Sequence, residues 1–258
     1  MAFSQQYLEI DGCRINLRRG GAGAPLLYLH GASGAPVILP FMEQLAGSFD
    51  VLVPEHPGFG LSDEPEWLEN IHDLAYFYLD FLRRLDLRNV LVVGSSIGGW
   101  LALEMAVRDT SRIRSLVLVA PAGISVPGLQ PADIFMWSPE ELVRNLFHDP
   151  KLAAARLAEP VTPEQVDIAL KNRHAAARLA WEPRLHDPFL HKWLHRITVP
   201  VKIVWGENDR ILPVGYARAF RELLPDAELD VIPACGHLPQ VEHADRFCER
   251  VLRFASPR

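Results

Sequence analysis

Three cysteines, Cys13, Cys235 and Cys248, are all the chain offers to thiolate or disulfide chemistry. They are odd in number and widely spaced, so they suggest neither a disulfide framework nor a metal-ligand pattern. Positive charge is also scarce, with 26 Lys and Arg against 32 Asp and Glu. The densest basic groups, Arg18-Arg19 and Arg83-Arg84, are isolated pairs, which argues against nucleic acid or an anionic membrane surface as a partner. No apolar run reaches the ~20 residues needed to span a bilayer. The opening MAFSQQYLEIDG lacks a basic segment followed by an apolar one, so no secretory signal is expected and a cytoplasmic location is. Low-complexity linkers and long internal repeats are missing as well. What remains is a composition 49% apolar and 22% charged over 258 residues, enough for the core of one large domain or of one domain carrying an insertion.

The order of elements narrows the fold. Tyr7 to Ile10 and Arg14 to Leu17 are short alternating runs around Asp11-Gly12, a hairpin signal because both turn positions need positive φ. Leu26 to Leu29, Val51 to Val53, Val90 to Val93, Leu116 to Ala120 and Val201 to Trp205 are continuous apolar runs, as strands buried on both faces must be. Helical spacing separates them at Val37 to Gly47, Ile71 to Leu85 and Gly99 to Arg108. After a further helix at Val214 to Leu224, a strand at Leu229 to Ile232 and a last helix from Ala244 to Phe254 close the chain. Such alternation predicts an α/β fold with a mostly parallel sheet flanked by helices. From Gly123 to Ile197 it stops. Ser138-Pro139-Glu140-Glu141 and Thr162-Pro163-Glu164-Gln165 are helix starts, and frequent prolines predict short helices. Phe135, Trp137, Phe147, Trp181, Phe189 and Trp193 concentrate here, either as a pocket lining or as the insertion's own core.

The chemistry-bearing segment follows Val90 to Val93. Gly94-Ser95-Ser96-Ile97-Gly98 reads as a sharp strand-to-helix turn that lifts a serine hydroxyl out of the fold, with small residues two before and two after to relieve crowding. Ser96 has the symmetric glycines; Ser95 does not. A hydroxyl is a weak nucleophile until a neighbouring base takes its proton, so a histidine and an orienting acid are required.

His30-Gly31 after a buried strand, Pro57-Gly58-Phe59-Gly60-Leu61-Ser62, the Ser96 turn, Gly206-Glu207-Asn208-Asp209 and Gly236-His237 occur in that order. Together they make the chain resemble the α/β-hydrolase fold family over nearly its whole length. The resemblance implies a core of residues 1–122 and 198–258 with a helical cap at 123–197. It also implies a triad of Ser96, Asp209 and His237, in which His237 is general base and then acid, Asp209 fixes its tautomer, and no metal or organic cofactor is required. Glu207 is the nearby alternative acid. The oxyanion hole falls to the backbone amides of Ile97 and Ala32, with Ser33 as the alternative to Ala32. His30 fits a family position that braces the oxyanion loop. Where the family often has Asp before the Pro57 motif, this chain has Glu55-His56, read as a difference in loop packing.

Serine at position 96 favours esters, thioesters or carbon–carbon bonds beside a ketone. The expected partner is a small, largely apolar substrate, and the first expectation is a carboxylic ester hydrolase. A carbon–carbon hydrolase of ring-cleavage products stands second, because members of that group often carry Trp after the catalytic His and this chain has Leu238. A catalytically silent ligand receptor of the same fold is the reading from a different class.

Overall fold

The computed structural model describes residues 2–256. Its first two strands, β1 (Ser4–Ile10) and β2 (Cys13–Gly21), form an antiparallel hairpin. Asp11 and Gly12 turn it with φ of 49° and 78°, the positive values that a two-residue hairpin loop demands. Next come β3 (Ala24–Leu29), α1 (Pro40–Leu45), β4 (Phe49–Pro54), α2 (Ile71–Arg84), β5 (Val90–Ser95), α3 (Ile97–Arg108) and β6 (Ile113–Val119). Three α-helices, α4 (Pro139–Leu146), α5 (Pro150–Ala158) and α6 (Pro163–Ala180), and two short 3-10 turns, Leu190–Lys192 and Leu194–Arg196, follow before the sheet resumes. The chain ends through β7 (Val201–Gly206), α7 (Gly215–Leu223), β8 (Ala227–Ile232), α8 (Pro239–Glu242) and α9 (Ala244–Ala255).

The eight strands form one sheet in the order β1-β2-β4-β3-β5-β6-β7-β8. Only the pairings of β2 are antiparallel. Both faces are covered, which explains the uninterrupted apolar strands: in β5, Val90 and Val92 join the core on the α2 and α3 side, whereas Leu91 and Val93 join the core of α1 and α9. After β3 the chain moves to β4 on one side, then returns to lay β5 on the other. That reversal makes the carboxyl ends of β3 and β5 a topological switch point, the place where open α/β sheets hold ligands.

Two expectations about helices needed correction. Val37 to Gly47 forms only the six-residue α1, because Leu39 precedes Pro40 and is extended at ψ 155°, as a residue before proline must be. The insertion's helices are not all short: α6 runs 18 residues. Pro163 sits at its first turn, where the missing amide costs nothing, and the next proline lies beyond its end. Ser138 and Thr162 cap α4 and α6 with capping boxes, as their sequences indicate. Among the described residues, no helix is long and apolar enough to cross a membrane.

Candidate active site

Ser96 stands between β5 and α3 with φ 55° and ψ −116°, a conformation that L residues avoid and that tends to persist only at functional sites. The flanking glycines are required sterically. A Cβ on Gly94 would lie 2.3 Å from the Gly98 carbonyl oxygen, and one on Gly98 would lie 2.1 Å from that of Leu29. The turn is pinned by Ser96 N–H donating to Val119 O and by Ser96 O accepting from Ala122 N. Ile97 opens α3, so its amide has no intrahelical carbonyl to bind and can serve an anion.

Asp209 follows the end of β7. Its Oδ1 accepts the amides of Ile211 (2.8 Å) and Leu212 (2.9 Å), and its Oδ2 lies 2.7 Å from His237 Nδ1. Nδ1–H therefore donates to the carboxylate, and Nε2 is left as the basic nitrogen. Both side chains are buried. Glu207 is exposed, and the carboxylate bonded to His237 is that of Asp209. Ser96 Oγ forms no hydrogen bond with His237 in this arrangement; such contacts are often long until substrate binds.

The loop after β3 packs on Ser96. A Cβ on Gly31 would come 3.2 Å from Ser96 Cβ and 3.9 Å from its Oγ. Gly34 N–H donates to Gly31 O at 3.1 Å, which closes a turn around Ala32 and Ser33. His30 braces it: Nδ1 donates to Gly31 O at 2.8 Å, while Nε2 accepts His56 N–H at 3.0 Å. Those two bonds demand the neutral Nδ1–H tautomer. His56 stacks on His30 with ring centroids 3.6 Å apart. Its Nε2 donates to His30 O and its Nδ1 faces Tyr78 Oη at 2.6 Å. Burial pulls His30 down to about 4 and His56 well below its ordinary value, the latter also because His30 is beside it. Glu55 is equally buried, holding Asn16 Nδ2, the Leu61 amide and Arg18. The Glu55-His56 pair thus builds a buried polar network under the site.

Sequence reasoning missed two contributors. Glu242, at the end of α8, accepts the amides of Gly236 (2.6 Å), His148 (3.0 Å) and Asp149 (3.3 Å), while His237 N–H donates to Leu146 O. The His237 loop is thereby fastened to the α4–α5 connection. Asn172, on α6, is the second, and no local pattern marks it. The six aromatics of the insertion divide: Phe135 and Phe147 are buried, but Trp181, Phe189 and Trp193 are 43%, 59% and 50% exposed, so they form no single lining or core. His72, Glu104 and Asp187 bring potential ligand atoms within 4.8 Å. The Arg108 guanidinium, however, bonds both Glu104 and His72, so an ion-pair cluster accounts for them.

A sharp serine turn at a sheet's topological switch point, with an Asp-bound histidine at the end of the next-but-one crossover, defines an α/β hydrolase. A family model described as the alpha/beta hydrolase family matches residues 26–250, and the chain belongs to that family. It is 32% identical over 267 residues to a 2-hydroxymuconate semialdehyde hydrolase of Pseudomonas putida, covering 94% of this chain and 91% of that protein. Among solved structures, the 2-hydroxy-6-oxo-6-phenylhexa-2,4-dienoate hydrolase of Rhodococcus sp. strain RHA1 superposes with a TM-score of 0.79 at 22% identity, covering 98% of each chain. An esterase from Rhodococcus sp. ECU1013 fits nearly as well, with a TM-score of 0.77 at 22% identity and 98% coverage of both chains. The backbone therefore defines the fold without separating the two chemistries.

Proposed function

We propose that this protein is a serine hydrolase that cleaves the carbon–carbon bond beside the ketone or aldehyde of a ring-cleavage product, a 2-hydroxy-6-oxo-dienoate. The 32% identity to a 2-hydroxymuconate semialdehyde hydrolase along 94% of the chain carries this reading. It reverses the order expected from sequence, where the ester came first. Leu238 in place of Trp remains the observation that favours an ester substrate.

Ser96, His237 and Asp209 supply the chemistry. Asp209 holds the Nδ1–H tautomer, so His237 Nε2 takes the Ser96 proton as Oγ attacks the carbonyl. The resulting oxyanion sits between the Ile97 and Ala32 amides, each such donor being worth ~100- to 1000-fold in rate. A carbon leaving group departs only if its electron pair is delocalised, so the dienol must first be in its keto form with a proton added beside the scissile bond. Collapse of the oxyanion then breaks that bond, sends the pair into the dienolate, and returns a proton from His237. Water, deprotonated by His237, hydrolyses the acyl-Ser96 ester to the acid. Residues 123–197 are the cap in this scheme, over a core of 1–122 and 198–258; the packing of α6 against the Gly34 and Gly58 turns supports that division.

The test is turnover of 2-hydroxymuconate semialdehyde, followed by loss of its visible absorbance and release of formate, beside hydrolysis of a short-chain p-nitrophenyl ester. Dienoate cleavage with the higher kcat/KM, abolished in Ser96→Ala, is the expected result. Rapid ester turnover with an untouched dienoate would return the assignment to an esterase.

A further inference from the structure

Asn172 lies on α6, in the insertion, yet is only 3% exposed because its amide is pushed between two loops of the core. Its Oδ1 accepts Gly60 N–H at 2.7 Å, and its Nδ2 donates to Ser33 O at 2.9 Å. Ser33 belongs to the turn whose other end, Gly31, lies against Ser96. That turn is consequently held at two carbonyls: Gly31 O by His30 from the core, and Ser33 O by Asn172 from the insertion. Ala32 is between the two fastenings. Gly34 is shaped for this contact, since a Cβ there would come 2.5 Å from Asn172 Nδ2, and its φ is +79°.

We infer that Asn172 is a positioning residue for catalysis: by holding Ser33 O it aims the Ala32 amide at the oxyanion formed on attack by Ser96. The inference rests on the serine-hydrolase reading above, but not on which bond is cut. The amide side chain is chemically specific for the task. Acceptor and donor must face Gly60 N–H and Ser33 O at once, and among side chains of this length only asparagine carries both in one rigid fork. An aspartate would keep the first bond and set an anion against the Ser33 carbonyl. A leucine of similar size would leave the buried Gly60 amide without a partner and release the Ser33 carbonyl. Lys171, one residue earlier, binds the carbonyls of Gly60 and Ser62 instead, so it anchors α6 without touching the Ala32 turn.

The experiment measures the rate at which a fluorophosphonate labels Ser96, since its P–O oxygen draws on the same amides as a substrate oxyanion while the probe needs no cognate substrate. Asn172→Ala and Asn172→Asp are compared with wild type and with Lys171→Met, and thermal midpoints are recorded for all four. The expected result is labelling slowed about 10- to 100-fold in both Asn172 variants, a share of what a lost donor costs. Lys171→Met should label within about twofold of wild type even though it loosens α6. Folded Asn172 variants that label as fast as wild type would overturn the inference and leave the serine-hydrolase reading intact. Equal slowing in Lys171→Met would also overturn it, by showing that general loosening of α6 is the cause. A wild-type protein that resists labelling at Ser96 would remove the hydrolase reading itself. Should Asn172→Ala fail to fold, Asn172→Asp decides, because it keeps the acceptor for Gly60 N–H and loses only the donor to Ser33 O, and a folded Asn172→Asp that labels as fast as wild type overturns the inference.

Discussion

Acid should destabilise this protein through the stacked histidines beside its candidate active site. His30 must be neutral when folded, because its Nδ1 donates to a carbonyl and its Nε2 accepts an amide. Its affinity for protons therefore falls on folding, from the ordinary 6.5 to about 4. Between those values the unfolded chain binds the extra proton and the folded one does not, so stability is full above pH 6.5 and drains away as pH falls towards 4. At pH 5 the linkage amounts to about 2 kcal/mol relative to pH 7 from His30 alone, and His56, shifted in the same direction, adds to it. Against a typical total of ~5–15 kcal/mol that is a large share. Urea unfolding at pH 7, 6 and 5 measures it, with His30→Asn as the non-titrating comparison. The variant should be less stable at pH 7 but lose about 2 kcal/mol less on going to pH 5. Parallel pH profiles for the two proteins would refute the reasoning, because they would mean that the buried pair is not the group that takes up protons.

Two further outcomes test the site. Asp209→Asn should fold normally, because its Oδ1 can still accept the Ile211 and Leu212 amides. Its NH2 would face His237 Nδ1, forcing the proton to Nε2 and lowering kcat by about 10³- to 10⁴-fold in steady-state assays; a loss below tenfold would assign the acid role elsewhere. Glu242→Gln replaces a carboxylate that accepts three amides by a single oxygen. It should cost about 2 kcal/mol, or about 4–8 °C in Tm by calorimetry, and an unchanged Tm would deny it the clamping role.

Much of the fold can be read locally. The both-faces-buried strands, the Asp11-Gly12 turn and the capping boxes at Ser138 and Thr162 depend on residues within a few positions of one another. The errors came where one signal was extended too far. Proline density suggested short helices throughout the insertion, yet α6 is long because its proline is at the start and not inside. Aromatic clustering in sequence became clustering in space only in part, since Trp181 packs on Phe135 while Phe189 and Trp193 are at least half exposed. Glu55-His56 looked like a change of loop packing. Its weight appears only once His56 lies on His30 and Glu55 meets Asn16 and Arg18 from β2.

By itself, then, the sequence determined the strand-to-helix turn at Ser96, because the glycines that permit it are two residues away on either side. The order of the motifs containing Asp209 and His237 was equally plain. Tertiary structure alone decided that Asp209, and not Glu207, reaches His237; that His30 and His56 share one buried site; and that an asparagine from the insertion holds the turn around Ala32. Backbone preferences act over a few residues and leave a local pattern. Contacts such as Asn172 with Ser33, 139 positions apart, exist only after the sheet, its helices and the insertion have packed together.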